Sequence, residues 1–133
     1  MLFRSVLFGN FLDALKLPKS TEPEKIIRKA AMNAATIEAI EIPLKVMKVS
    51  LQSLKMLKEM AEKGNPNSVS DAGVGALCAR TAVEGAALNV RINCSGFDDK
   101  VFVKLSLLQA DEMVQNARSI EKEILAIVEK LIK

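Results

Sequence analysis

Apolar residues recur at alternating steps of four and three along the last third of the chain. The series is Met113, Ala117, Ile120, Ile124, Ile127 and Leu131, and Val101, Leu105 and Leu108 follow the same rule earlier, with a slip in phase between the groups. Such a stripe is typical of a helix that packs in a bundle or coiled coil. The pattern predicts one helix from about Asp98 to Ile132, after a turn at Ser95-Gly96.

A boundary between two further helices is predicted around Pro18. A proline disfavours the helical conformation of the residue before it, so a short helix from about Val6 to Lys16, or the tail of a longer one, should end there. Ser20 or Thr21 can then cap a new helix, because their hydroxyl groups accept hydrogen bonds from the first unpaired backbone N–H groups.

The second helix is predicted to run from Pro23 to Lys63 and to contain a proline. Its apolar stripe after the proline is Leu44, Met47, Leu51, Leu54 and Leu57. Pro43 cannot donate the backbone hydrogen bond of its position, so we expect a kink near Ala39 to Ile42. Gly64 is a natural end for this helix.

A third helix is predicted from a cap at Ser70 or Asp71 to about Asn93. Its side chains are unusually small: Ala72, Gly73, Gly75, Ala76, Ala79, Ala82, Gly85, Ala86 and Ala87. Each interior glycine costs about 1 kcal/mol relative to alanine. Close approach to neighbouring helices would compensate for this cost, and so would close approach to a ligand.

The composition agrees with these elements. Half of the 133 residues are hydrophobic, yet only 4% are aromatic, and good helix formers dominate. We therefore predict an all-α fold of one domain, residues 1–133, as a bundle of long helices with a Pro-kinked helix and a small-residue central helix. Cys78 and Cys94 are predicted to be reduced core thiols of a cytoplasmic protein.

Charge and residue usage exclude several classes of function. The net charge is only +3 and the signs alternate, which argues against a nucleic-acid binder. The densest basic stretch is Lys16, Lys19, Lys25, Arg28 and Lys29, which is either a solvated helix start or a patch that faces an anion. The chain has no histidine, so the usual zinc sites and histidine-activated nucleophiles are excluded. No apolar run is long enough for a transmembrane helix, and no membrane partner is expected.

The third helix also carries a set of polar residues. Arg80, Glu84 and Arg91 fall on one face, and Arg80 can pair with Glu84 at a spacing of one turn. Asn89 and Asn93 project from another side. Either these groups bind a ligand or they form a polar network that fixes the packing, and the spacing alone does not decide between the two.

Residues 64–93, GNPNSVSDAGVGALCARTAVEGAALNVRIN, closely resemble the signature of the formiminotetrahydrofolate cyclodeaminase/methenyltetrahydrofolate cyclohydrolase family. The Leu17-Pro18-Lys19 element and the Ile42-Pro43-Leu44 element resemble the family as well. The resemblance implies a homodimer or larger assembly that acts on a tetrahydrofolate derivative without a metal or bound cofactor. The cyclodeaminases close 5-formiminotetrahydrofolate to the 5,10-methenyl form and release ammonia, and the cyclohydrolases interconvert the methenyl and 10-formyl forms.

The resemblance also implies site residues. The candidates are Lys16 and Lys19 for the anionic glutamate tail, Asn65, Asn67 and Ser68 for the pterin or one-carbon unit, and Arg80, Glu84, Asn89, Arg91 and Asn93 for a polar network around the substrate. Asp71 is a possible catalytic residue, although its position also suits a helix cap.

The start of the chain departs from the family pattern. Members carry a preceding segment, which suggests that this chain is N-terminally truncated, and they have an acidic residue, thought to be the proton shuttle, where this chain has Arg4. An arginine stays protonated and cannot take that role. Leu2–Ser5 is also what a sequencing adapter would encode, so the true start is expected to differ. A non-catalytic helical association module is the alternative from another class of function.

Overall fold

The computed structural model describes residues 2–132, and their side chains from Gly9 onward. These residues form four α-helices: α1 (Leu2–Lys16), α2 (Glu22–Lys63), α3 (Val69–Cys94) and α4 (Lys100–Leu131). A single 3-10 turn, Pro66–Ser68, connects α2 to α3, and the described residues include no strand. The predicted all-α class is confirmed, and the predicted bounds hold to within a few residues for α2, α3 and α4.

A capping box begins α2 at Thr21. The hydroxyl of Thr21 accepts a hydrogen bond from the Glu24 backbone N–H at 3.4 Å, and the Glu24 carboxylate accepts one from the Thr21 N–H at 3.0 Å. The two bonds satisfy donors that the first helical turn leaves unpaired. Of the two predicted caps, Thr21 is therefore the one that is used.

Glycine at position 64 ends α2 for a steric reason. Its backbone N–H donates to the Met60 carbonyl oxygen at 2.8 Å. A Cβ atom at this position would collide with that same oxygen. Only glycine therefore fits this end of the helix without a shift of backbone atoms.

The helix α2 continues through Pro43, which is buried. An α-helix pairs each N–H with the carbonyl four residues earlier, so Pro43 leaves the Ala39 carbonyl without its helical donor. The side-chain amide of Asn93 on α3 donates to this carbonyl at 2.7 Å. The third helix thus satisfies the group that the proline leaves unpaired. The kink near Ala39 to Ile42 stays a prediction.

The small residues of α3 allow close packing on both neighbouring helices. A Cβ atom at Gly73 would lie 3.2 Å from a Val128 methyl on α4, and one at Gly75 would lie 2.8 Å from a Leu57 methyl on α2. Ala76 and Ala87 are almost completely buried. Close helix packing therefore explains two of the three glycines. Gly85 differs, because a Cβ atom there meets nothing within 4 Å.

The predicted stripe of α4 is correct in its second part and wrong in its first. Met113, Ala117 and Ile124 are buried, and Ile120 and Ile127 pack against the core. In contrast, Val101, Leu105 and Leu108 are exposed, as is Leu131 at the end of the helix. The slip in phase explains the error. Before it, the core-facing side of α4 carries Phe102, Val103, Ser106, Leu107 and Ala110.

Two further predictions about α3 are corrected. The helix begins at Val69, so Asp71 lies inside its first turn and neither Ser70 nor Asp71 is the cap. Ser68 occupies the cap position without a side-chain capping bond, because the 3-10 turn leads directly into the helix. Of the two cysteines, Cys94 is buried but Cys78 is exposed. Cys78 lies on the outward side of α3, away from the core.

Candidate functional site

A groove of about 1410 Å³ lies between the first half of α2 and the second half of α3. Its walls are mainly small or apolar, because Pro43 and the alanines of both helices leave little side-chain volume there. The wall residues are Ala35, Ala39, Ile42, Pro43 and Val46 on α2, and Ala82, Gly85, Ala86 and Ile92 on α3. The loop Ser95–Asp98 borders the groove at the end where α2 begins. The groove is large enough for a bicyclic ring system with a substituent.

Cationic side chains line the groove where α2 begins. Lys19, Lys25, Arg28 and Lys29 all border it. Lys25 pairs with Glu22 at 2.6 Å and Lys29 with Asp98 at 3.6 Å, while Arg28 donates to the Leu15 carbonyl at 3.2 Å. Lys19 forms no ion pair with any described residue. Four of the five cations of the basic stretch thus border the groove, and both interpretations of the stretch, a solvated helix start and an anion-facing patch, stay predictions.

Two amides of α3 and two polar groups of α2 face the same groove. Asn89 donates to the Gly85 carbonyl at 3.4 Å, and Asn93 donates to Ala39 as described above. Asn33 and Thr36 line the opposite wall. An amide that donates with its nitrogen keeps an oxygen that can accept a hydrogen bond from a ligand. The groove therefore combines apolar walls with a few polar groups, as small-molecule sites commonly do.

The charged residues of α3 lie on its other side, against α4. Arg80 pairs with Glu121 at 2.9 Å and with Glu84 at 3.3 Å, and Arg118 donates to Glu84 at 2.6 Å. Arg91 pairs with Asp111 at 2.9 Å. The structure does not bring Arg80, Glu84 or Arg91 to the groove. The sequence left two interpretations, ligand binding and a polar network that fixes the packing, and these three residues fit a polar network that joins helices.

This network shifts the acid–base properties of its members. The hydrogen bond from Arg118 holds the pKa of Glu84 below its ordinary value, and the charges of Arg118 and Arg80 add to the effect. The bond to Glu121 raises the pKa of Arg80. A second ion pair joins Lys58 on α2 to Glu123 on α4, and it raises the pKa of Lys58 and lowers that of Glu123. Both sets join α4 to its neighbouring helices.

Comparison with known proteins identifies the family of the chain. The family model described as formiminotransferase-cyclodeaminase matches residues 5–112 of the chain. The chain belongs to the formiminotransferase-cyclodeaminase family. The match covers the whole groove, including the first half of α2, all of α3 and the loop that follows it.

Relatives in this family include enzymes of two names. The chain is 34% identical over 125 residues to the methenyltetrahydrofolate cyclohydrolase of Methylorubrum extorquens, covering 94% of this chain and 60% of that protein. It is 34% identical over 112 residues to the formimidoyltransferase-cyclodeaminase of Rattus norvegicus, covering 84% of this chain and 21% of that protein. The chain thus spans less than two thirds of either relative.

A solved crystal structure has the same fold. The crystal structure of formiminotetrahydrofolate cyclodeaminase from Thermotoga maritima superimposes with a TM-score of 0.79 and 24% sequence identity. The similarity covers 96% of this chain and 59% of that one. It therefore supports the arrangement of the four helices. No helix in the described part of the chain combines the length and hydropathy that crossing a bilayer requires.

The first part of the family signature, residues 65–71, lies away from the groove. Asn65 accepts a hydrogen bond from the Asn67 backbone N–H at 3.0 Å and so shapes the 3-10 turn. Asn65, Asn67, Ser68 and Asp71 are all exposed. At 1.5 Å of rise per residue, Asp71 is roughly 16 Å along α3 from Ala82 and roughly 33 Å from Asn93. Within one copy of the chain, residues 65–71 do not reach the groove.

The remaining predicted site residues lie at or beyond the groove's edge. Lys16 pairs with Asp13 at 3.1 Å at the end of α1 and does not line the groove. The side chain of Arg4 lies outside the described residues. Among the lining residues, Asn33 and Thr36 were missed by the sequence analysis. Their spacing along α2 from Arg28 and Lys29 is the signal that could have found them, because it places polar groups on one side of the helix.

Proposed function

We propose that this chain is the folate-binding helical part of an enzyme of one-carbon metabolism. The single observation that carries the proposal is the α2–α3 groove, which joins apolar walls and two asparagines to a cationic mouth. Family membership supports the class of substrate, since both named relatives above act in cyclodeaminase or cyclohydrolase chemistry by their names. The proposed substrate is a tetrahydrofolate derivative, with no metal and no bound cofactor, in a cytoplasmic homo-oligomer.

The shape and charge of the groove suggest how such a substrate would lie. The pterin ring would occupy the apolar walls, where burial of ring surface contributes free energy of binding. The amides of Asn89 and Asn93 would meet the polar edge of the ring. The glutamate carboxylates would reach Lys19 and the neighbouring cations at the mouth, where opposite charges attract.

The reaction that we propose is cyclisation of 5-formiminotetrahydrofolate. N10 of the folate attacks the formimino carbon, and the imino nitrogen takes up the proton lost from N10 and one from a proton donor. The bond from the carbon to this nitrogen then breaks, ammonia leaves, and the carbon bridges N5 and N10 as the methenyl cation. The alternative is cyclohydrolase chemistry, in which water adds to the methenyl carbon and the bond to N5 opens to give the 10-formyl form. Both reactions need a proton donor and acceptor, and we assign that role to no residue of this chain. Asp71 stays a possible catalytic residue.

A second candidate function is a non-catalytic association module. The exposed apolar side chains of α3, which include Val74, Leu88 and Ile92, favour it. Association through these apolar side chains does not require the cations that line the groove where α2 begins. Folate binding therefore distinguishes the two functions.

Binding of 5-formyltetrahydrofolate, a stable analogue, tests the proposal by isothermal titration of the full chain. We expect saturable binding that weakens as salt is raised, because ions screen the charges at the mouth. Lys19→Ala should weaken binding by roughly two- to fivefold, which corresponds to the upper range for one exposed charge pair. The matched control is Lys104→Ala, at an exposed lysine of α4 away from the groove. Absence of saturable binding, or equal effects of the two variants, would contradict the proposal.

A further inference from the structure

Pro43 fixes the orientation of the Asn93 amide, and both residues line the groove. The proline leaves the Ala39 carbonyl without its helical donor, and the side-chain amide of Asn93 donates to that carbonyl at 2.7 Å. A carbonyl oxygen only accepts hydrogen bonds, so the nitrogen of the Asn93 amide, and not its oxygen, must face α2. Pro43 therefore decides which way round this amide lies.

The oxygen of the Asn93 amide is left for a ligand. The residue is half-buried, and its oxygen forms no hydrogen bond with a described residue. No buried side-chain oxygen in the described part of the chain lacks a partner, so the Asn93 oxygen is accessible. A ligand in the groove therefore meets a hydrogen-bond acceptor that belongs to α3 and is held in place by a bond to α2.

Two further polar groups of the groove use their donors in the same way. The Thr36 hydroxyl donates to the Met32 carbonyl at 2.9 Å, and the Asn89 amide donates to the Gly85 carbonyl at 3.4 Å. A hydroxyl that donates keeps only lone pairs, and an asparagine that donates once keeps its oxygen and one N–H. Asn33 forms no side-chain hydrogen bond with a described residue and keeps both kinds of group. Acceptor positions therefore outnumber donor positions in this part of the groove.

The mouth of the groove, where α2 begins, has the opposite character. Its lysine and arginine side chains only donate hydrogen bonds. Asp98, the acidic residue among the lining side chains, pairs with Lys29 at 3.6 Å. Ala39 lies roughly 15 Å along α2 from Lys29. A ligand that satisfies both regions therefore carries anionic acceptors at one end and N–H donors at the other.

We propose that Pro43 is a positioning residue through which the groove selects a ligand ring by its N–H donors. It acts through the Ala39 carbonyl and the Asn93 amide, and the ring edge that it selects carries an amino group beside a ring N–H. The selection rests on the proposed folate function, since a 2-amino-4-oxo pteridine ring has such an edge, whereas the orientation of the Asn93 amide does not. A ring that offers an oxygen at the same place would leave two acceptors facing each other unpaired.

Two probes that differ in one ring substituent test the selection. They are 5-formyltetrahydrofolate and its 2-deamino-2-oxo analogue, in which a carbonyl oxygen replaces the ring amino group. Isothermal titration of the parent chain should show binding of the amino probe that is tighter by roughly fivefold or more, since the oxo probe leaves acceptors unpaired. In Pro43→Ala the backbone N–H of position 43 competes for the Ala39 carbonyl and releases the Asn93 amide. The two affinities should then become nearly equal.

Val46→Ala is the matched control, because Val46 lines the groove with an apolar side chain. It should weaken the binding of both probes and keep the ratio of their affinities. If Pro43→Ala also kept this ratio, its effect would be that of a groove wall, and the positioning role would be overturned. Circular dichroism should show an undiminished helical content for Pro43→Ala, since alanine favours a helix.

Nuclear magnetic resonance of the chain without ligand tests the orientation by itself. The Asn93 side-chain amide, assigned from the Asn93→Gln variant, should exchange its protons with water more slowly than the Asn33 amide, and it should lose this protection in Pro43→Ala. Equal exchange rates of the two amides in the parent chain would overturn the positioning role even if folate binds. Absence of binding of both probes by the parent chain would instead contradict the folate function and the selection that rests on it.

Discussion

The two edges of α3 use polar side chains in different ways. On the edge that faces α4, Arg80, Glu84 and Arg91 all pair with charged side chains. On the edge that faces α2, Asn89 and Asn93 are uncharged, donate to backbone carbonyls and line the groove. The charged edge joins α3 to α4, while the amide edge lines the groove and is joined to α2 by the bond from Asn93 to the Ala39 carbonyl. Polar residues on one side of α3 thus stabilise its packing on α4, and those on the other side line the candidate site.

The largest effect is expected where the amide edge meets Pro43. Asn93→Ala removes the donor that satisfies the Ala39 carbonyl, which Pro43 leaves unpaired. The free energy of unfolding should fall by about 1–3 kcal/mol, the cost of an unsatisfied, partly buried acceptor. Urea denaturation without ligand measures this change.

A double-mutant cycle with Pro43→Ala isolates the cause. Alanine at position 43 restores the helical N–H, so Asn93→Ala should cost much less in that background. Equal costs in both backgrounds would show that Asn93 stabilises the protein by other contacts. The Asn89→Ala variant is a control on the same edge, since Asn89 donates to a carbonyl of its own helix.

A smaller effect is expected on the charged edge. Glu84→Gln removes the partner of Arg118 and Arg80 and should lower the free energy of unfolding by at most about 1 kcal/mol, because both partners are partly exposed. The effect should depend on pH in a defined direction. The pKa of Glu84 is lowered in the folded state, so its contribution is full above the ordinary value of 4.5 and is lost as pH falls through the folded pKa.

Thermal unfolding at a series of acidic pH values measures this contribution. The parent chain and Glu84→Gln should differ at neutral pH and converge as the pH drops well below 4.5. Glu129→Gln is the control, because Glu129 is exposed and forms no ion pair with a described residue. A constant difference across the whole pH range would show that the Glu84 charge is not what stabilises this edge.

The two edges also differ in how far the sequence predicts them. The spacing of Arg80, Glu84 and Arg91 predicts that they share a side, and the Arg80–Glu84 pair is confirmed. Their partners on α4 are roughly 20 to 41 residues away in the chain, as in the Arg80–Glu121 pair, and helical periodicity cannot supply that register. The bond from Asn93 to Ala39 spans 54 residues and is equally invisible to local patterns.

The same limit explains the errors on α4 and at Cys78. A local stripe predicts which residues share a side of a helix, but tertiary packing decides which side is buried. Val101, Leu105 and Leu108 form such a stripe, but they are exposed because the neighbouring helices pack on another side of α4. Cys78 follows the same rule, since its surroundings are small and apolar in sequence while its side of α3 faces outward.

Chemical modification of the two thiols of α3 is expected to have the smallest effect on stability. It should also give the sharpest contrast between the inward and outward sides of this helix. Cys94 is buried and burial raises the pKa of its thiol, so a thiol reagent should modify it only after unfolding, at any protein concentration. Cys78 is exposed, so the same reagent should modify it quickly in the folded chain. Mass spectrometry of partly labelled protein assigns each rate to its cysteine. A Cys78 rate as low as that of Cys94 would show that the outward side of α3 is covered in solution.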